Sequence, residues 1–228
     1  MKVTYIYHSS FAVELEKSML IFDYYGKGDL PERPAGKQVY FLNSHSHPDH
    51  FSKTIFNLRE QFGGAEYVLA REIRLKPEEK KDWIHSLKPE TDVEIGNLKI
   101  RTLKSTDLGV AFMVETEGRR IYHAGDLNWW HWEGEDPVWN RNMEADFRRY
   151  AEPLRGRKID LAMLPLDPRL GEDGFRGPRY FLELADIRRF LPMHQWEQFS
   201  FTQDFLAACP AFAGQVRMVE RNGQCFTL

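Results

Sequence analysis

An apolar strand pattern, Gln38 to Leu42, runs without a break into Asn43-Ser44-His45-Ser46-His47-Pro48-Asp49-His50, so that three of the chain's eight histidines and an aspartate fall within six positions. A chain built this way must end a buried strand at a polar, ligand-rich loop and then turn back over its sheet. Chance supplies an HxHxDH string roughly six times in ten thousand chains of this composition, which favours a functional reading over an incidental polar loop. Alternate residues of an extended loop point the same way, so His45 and His47 can reach one ion, while Asp49 and His50 on the other side can reach a second. Imidazole and carboxylate suit Zn²⁺, and also Mn²⁺ or Fe²⁺. Pro48 stiffens the turn, and Ser52 is placed to cap a helix over 51–62, where Ile55, Phe56, Leu58 and Phe62 have near-helical spacing.

The rest of the chain reads as strands with a few helices. Val3, Tyr5 and Tyr7 alternate, as do Phe11, Val13 and Leu15, and the run Met19–Phe22 ends at Asp23. Residues 24–37 carry glycine and proline breakers and read as a loop, and 66–70 resumes as a strand. Hairpins are expected around Gly96-Asn97 and Glu117-Gly118, a helix over 137–152, and buried strands over 159–164 and 189–193. His85 is expected to be exposed in a charged, helix-like stretch. With 228 residues, 42% hydrophobic, and no repeat or low-complexity linker, the expectation is one domain covering 1–228.

Composition excludes several classes of protein. A net charge of −3 gives no surface for a polyanion and disfavours nucleic-acid partners. Apolar runs such as Val39–Leu42 and Leu161–Leu164 fall far short of the roughly 20 residues that span a bilayer, so no membrane partner is expected. The N-terminus turns polar before a signal-peptide core can form, which points to a cytoplasmic protein. Two cysteines, Cys209 and Cys225, make neither a disulfide framework nor a thiolate zinc site.

In three segments the chain resembles the metallo-β-lactamase fold metal-dependent hydrolases: His45–His50 after a strand, Ile121-Tyr122-His123-Ala124-Gly125-Asp126 at the end of another, and Phe190-Leu191-Pro192-Met193-His194 at the end of a last one. His8-Ser9-Ser10-Phe11 and Leu20-Ile21-Phe22-Asp23 resemble the sugar-phosphate lactonase-like branch. The resemblance implies an α/β fold, a four-layer αβ/βα sandwich with a dimetal cleft at the edge of two sheets. It makes Asp126 the bridging ligand and His194 a ligand of the second site. Many members carry a further histidine ligand where this chain has Ser105-Thr106-Asp107, so either Asp107 replaces it or the first site keeps only His45, His47 and the bridging Asp126. Asp23 is placed to brace the histidine loop by accepting an imidazole N–H. His8 and His123 fit either a bracing role or a substrate contact.

Two divalent ions sharing a hydroxide would hydrolyse lactones, other esters, amides or phosphodiesters, with Asp49 as ligand and proton shuttle. The expected function is a hydrolase of a small anionic ester, lactone or phosphoester, using one or two ions. Trp129, Trp130 and Trp132 would form a pocket wall, unless they close the core or a contact between copies of the chain, and Arg169 a charge clamp; Arg176 and Arg179 lie in the same loop. The rival readings are a phosphodiesterase or nuclease, a degenerate one-metal binding protein, and a diiron redox member, which would need iron and a flavin partner.

Overall fold

A computed structural model describes residues 1–228. In chain order the strands are β1 (Lys2–Tyr7), β2 (Ser10–Glu14), β3 (Ser18–Phe22), β4 (Gln38–Asn43), β5 (Glu66–Ala70), β6 (Ile84–Leu87), β7 (Asp92–Ile95), β8 (Leu98–Lys104), β9 (Val110–Thr116), β10 (Arg119–His123), β11 (Lys158–Ile159), β12 (Leu161–Pro165), β13 (Asp186–Ile187), β14 (Phe190–Met193) and β15 (Cys225–Thr227). Three α-helices, α1 (Pro137–Ala151), α2 (Arg176–Leu184) and α3 (Phe201–Ala208), fall in the second half. One sheet runs β15-β1-β2-β3-β4-β5-β6 and the other β14-β12-β10-β9-β8-β7, with β11 and β13 forming a small separate pair.

Strands such as Met19–Phe22, Val39–Leu42 and Leu161–Pro165 are buried along their whole length, as sheets covered on both faces require. A single apolar cluster of 61 residues joins both sheets. Asn97, at the β7–β8 turn, accepts from Tyr40 Oη at 2.9 Å and donates to Ser18 Oγ at 2.7 Å, which ties the hairpin of one sheet to strands of the other. Helices α1 and α2 close the second sheet, burying Phe147 against Phe181 with ring centroids 5.1 Å apart. The two large sheets with flanking helices match the sandwich expected from the sequence. No helix is long and apolar enough to cross a membrane.

Two local expectations need correction. The helix over 51–62 is only a 3-10 segment, Lys53–Leu58, although Ser52 Oγ does cap it by accepting from Thr54 N. Thr54, Ile55 and Asn57 have low α-helix propensity, and Gly63-Gly64 follow at once, so the segment holds by packing: Phe56 rests on Tyr67 and Phe62 on Phe41. His85 lies in strand β6, half-buried, with Nε2 2.7 Å from Glu66 Oε2.

The sheet topology decides where chemistry can occur. β3, β4 and β5 run parallel, as do β10, β12 and β14, so the carboxyl ends of both sets open on the same edge. Ligands in α/β sheets bind beyond such carboxyl ends.

Candidate metal centre

Seven polar residues lie within three positions of a strand end. His8 comes after β1, Asp23 after β3, His45 after β4, Asp107 after β8, Asp126 after β10, Asp167 after β12 and His194 after β14. His8, Asp23 and His194 have positive φ (54°, 43° and 63°), a conformation costly for non-glycine residues, and the surrounding hydrogen bonds hold them in it. Gly109 and Gly125 allow the second sheet to close on the histidine loop, because a Cβ on Gly109 would strike the Ser44 carbonyl and one on Gly125 would lie 2.7 Å from Ser44 Cβ.

The structure brings the sequence candidates into two adjoining groups. His45, His47, Asp107 and Asp126 form one, and His8, Asp49, His50 and His194 the other; within each, the ligand atoms lie within 4.8 Å of one another. Asp126 faces both groups. Its Oδ2 lies 3.7 Å from His45 Nε2, while Oδ1 lies 3.4 Å from His50 Nε2 and 3.8 Å from His194 Nε2. Asp107 Oδ2 is 3.4 Å from His47 Nδ1, in the place where the sequence lacks a histidine, and Asp49 Oδ2 is 3.4 Å from His8 Nε2.

The hydrogen bonds behind the imidazoles decide which nitrogens face the cluster. His50 Nδ1 donates to Asp23 Oδ2 at 2.8 Å, and His194 Nδ1 to Asp167 Oδ2 at 2.8 Å. Ser44 gives its only hydroxyl proton to Asp23 Oδ2 at 2.6 Å, so its oxygen must accept from His45 Nδ1 at 2.9 Å. All three rings therefore turn Nε2 inward, as metal-binding histidines do when a backing group holds Nδ1. His8 Nε2, His50 Nε2 and Asp126 Oδ1 are buried without a hydrogen-bond partner, a costly arrangement that a cation in the cluster would relieve. On these grounds the residues fit one or two divalent ions.

Electrostatics favours the same occupant. Burial pushes His45 down to about 4, with the His50 charge adding to the effect, so its imidazole is neutral at pH 7. At His50, burial is outweighed by Asp126 and Asp23, and without a metal its pKa stands at about 9. At Asp23, burial is likewise outweighed by His123 and His50, which hold the carboxyl at about 2. At Asp167, hydrogen bonds from His194 and Arg169 overcome burial and keep the carboxyl below the ordinary range.

Other sequence candidates fall in different places. His123 accepts from Gly125 N at 3.1 Å, so its Nε2 donates to the Ser9 carbonyl at 2.9 Å. Both nitrogens are occupied, and its ring stacks on Phe22, so it offers the cleft no free polar atom. Thr106 Oγ1 donates to the Asn128 carbonyl at 2.7 Å and accepts from Asn128 N at 3.1 Å, fixing the segment after Asp126. Trp130 and Trp132 line a cleft of about 350 Å³ beside the cluster. Trp129 does not: it points the other way, onto Phe147 and Tyr180, with Arg148 over its ring. Arg169 reaches the cleft but is engaged by Asp167, with Nε 3.0 Å from Oδ1 and Nη2 2.6 Å from Oδ2. Arg176 and Arg179 pair with Asp173 and Glu183. Asp167 was not singled out from the sequence, and His8 was not assigned to the ligand set, although both carry the strand-end signature of the residues that were.

Residues 2–130 match the Beta-lactamase superfamily domain. The chain belongs to this superfamily. It is 29% identical over 212 residues to a UPF0173 metal-dependent hydrolase of Korarchaeum cryptofilum, covering 85% of this chain and 82% of the relative. A second UPF0173 metal-dependent hydrolase, from Alkaliphilus metalliredigens, is 28% identical over 182 residues, with 73% of each covered. Among solved structures, the metallo hydrolase Igni18 of Ignicoccus hospitalis superposes with a TM-score of 0.64 at 19% identity, covering 100% of this chain and 98% of that one, which shows a shared fold.

Proposed function

We propose that this chain, a metal-dependent hydrolase of the beta-lactamase superfamily, uses two adjoining divalent-ion sites to hydrolyse a small ester, lactone or phosphoester, with residues 1–228 acting as one domain. The observation that carries the reading is the pair of ligand groups facing Asp126, with buried, unpartnered nitrogen and oxygen atoms aimed into them. His45, His47, Asp107 and Asp126 would hold one ion. His8, Asp49, His50 and His194 would hold the other, with Asp126 shared. Zinc suits the imidazole-rich group of His8, His50 and His194 best, while manganese or iron suits a first site in which Asp107 replaces a histidine. Bound there, such ions polarise a carbonyl or phosphoryl oxygen and bring the pKa of water toward neutrality.

The chain's own residues do the rest. Asp23 and Asp167 accept from Nδ1 of His50 and His194 and so hold each ring with its Nε2 toward the cluster. Asp49 is the partly open carboxylate of its group, 35% exposed against 3% for its neighbour His8, so it is the one placed to take a proton from the attacking water and pass it to the leaving group. Trp130 donates its indole N–H to the Asp126 carbonyl at 3.0 Å, which fixes the ring as a dry wall beside the cluster.

The test is elemental analysis of protein purified without chelator, followed by turnover of lactones, carboxylic esters and phosphodiesters. At least one transition metal per chain, and hydrolysis abolished by chelation and restored by Zn²⁺ or Mn²⁺, is expected. Less than one metal per chain after reconstitution, or loaded protein inert to the whole panel, sinks the reading. A finer expectation concerns Asp107. Replacing it with alanine should weaken the ion held with His47 more than the ion held with His50, as two-step titration with a chromophoric chelator would read; equal affinity at both sites in the variant would eliminate Asp107 as a ligand.

A further inference from the structure

The only exposed large apolar residues in the protein are Leu108, Val138, Trp139 and Trp196, at 41%, 51%, 40% and 42%. The two tryptophans among them, Trp139 and Trp196, line one cleft, and Leu108 and Val138 are chain neighbours of its lining residues Asp107 and Trp139. With Trp130 and Trp132 they make four tryptophans around a space of about 350 Å³ that opens onto Asp126 and His194. Apolar side chains scattered singly over a surface need no explanation, but two exposed tryptophans lining one cleft with two more do.

The walls are fixed. Trp196 donates its indole N–H to Asp167 Oδ2 at 3.3 Å and stands edge-on to His194, with ring centroids 5.5 Å apart. Trp130 and Trp132 lie within 8° of parallel, with centroids 6.4 Å apart. Unpaired lysines and arginines are missing from these walls. Arg169 is the one lysine or arginine lining the cleft, and its guanidinium is held by Asp167 and stacked 4.5 Å over Trp196. A second cation would meet Arg169 where the rings could have caged it, and an anion would find no free cation away from the ligand groups.

We propose that the substrate carries, next to its hydrolysable group, a flat uncharged apolar substituent of one or two rings that packs against Trp132, Trp139 and Trp196. The inference rests on the hydrolase reading and names its substrate class. Broad aromatic faces at low conformational cost suit such a group, and the cleft volume is at the small end for a bound organic ligand.

The experiment compares 2-naphthyl acetate, methyl acetate and 4-acetoxybenzoate on metal-loaded wild type, Trp139→Ala and Trp139→Phe. Trp139 is half exposed on α1, so its replacement spares the core. In Trp139→Ala the naphthyl-to-methyl ratio of kcat/KM should fall at least ten-fold, carried by KM, with Phe restoring most of it. Comparing ratios between variants cancels the intrinsic reactivity of the leaving groups. Calorimetry with 2-naphthyl methyl ether, which cannot be hydrolysed, should show binding that Trp139→Ala loses. An unchanged ratio, a preference for the charged benzoate, or a dimer that Trp139→Ala dissociates without touching the ratio would overturn the proposal. If no ester is turned over, yet the ether binds and Trp139→Ala loses it, the hydrolase reading fails and the apolar pocket stands.

Discussion

Asp126→Asn is expected to lower hydrolysis of the best substrate more than about 100-fold, with at least one metal lost per chain and the far-UV circular dichroism retained. Asparagine keeps the shape of the side chain, so packing beneath Gly125 is preserved. What changes is that one carboxylate oxygen becomes an N–H donor. Whichever way the amide turns, that donor faces either His45 Nε2 or the His50 and His194 Nε2 atoms, the same atoms that would ligate the ions. One ligand group is thus filled by a proton donor while the negative charge shared by both is removed. A single preorganised electrostatic group in a dry site is worth about 10²–10³ in rate, and here the same atom also sets metal occupancy, so the lower figure is a floor. Parental kcat/KM with full metal content would show that the two groups act independently of Asp126.

How much of this centre was legible in the sequence depends on how its residues are spaced. His45, His47, Asp49 and His50 could be read because they are contiguous and follow an apolar strand. Asp126 and His194 could be read because a glycine or a buried strand leads into each. His8 and Asp167 are single residues in otherwise unremarkable turns, and only the shared carboxyl edge of the two sheets gathers them. That edge depends on which strands run parallel, a long-range property no local window contains. A rule that collected every histidine and aspartate just beyond a buried strand would have found both. The tryptophan cluster failed for the opposite reason. Adjacency suggested that Trp129, Trp130 and Trp132 share a wall, but neighbouring residues in extended chain point to opposite sides, so Trp129 went to the core while Trp130 and Trp132 reached the cleft. Arg169 was found in the right place with the wrong partner, because nothing local says that Asp167, two residues earlier, turns inward to meet it.

Asp167 therefore carries the second large expected effect. Its buried carboxylate receives hydrogen bonds from His194 Nδ1, from Arg169 and from the Trp196 indole, linking a ligand group to the cleft wall. Asp167→Asn leaves His194 either a weaker, neutral acceptor or, with the amide turned the other way, an N–H where it had an acceptor. In the second orientation the ring can accept at Nδ1 only by moving its proton to Nε2, the atom that faces Asp126, and a protonated Nε2 cannot ligate; in the first, loss of the carboxylate charge weakens the hold on the ring. Zinc affinity at the His194-containing group should fall about 10–100-fold, the usual cost of losing the group behind a ligating imidazole, and kcat/KM should fall with it. Arg169→Met separates the two roles of the carboxylate, since it removes the guanidinium but leaves the His194 hydrogen bond; its zinc affinity should stay within about three-fold of wild type. Chelator competition measures the affinities, and ¹⁵N chemical shifts of the His194 ring report which nitrogen holds the proton. Wild-type zinc affinity in Asp167→Asn, with the proton still on Nδ1, would mean that the strand β14 backbone alone orients His194. The positive φ of 63° at His194 argues against that, because a backbone held in a disfavoured conformation relaxes once a side-chain bond that restrains it is weakened.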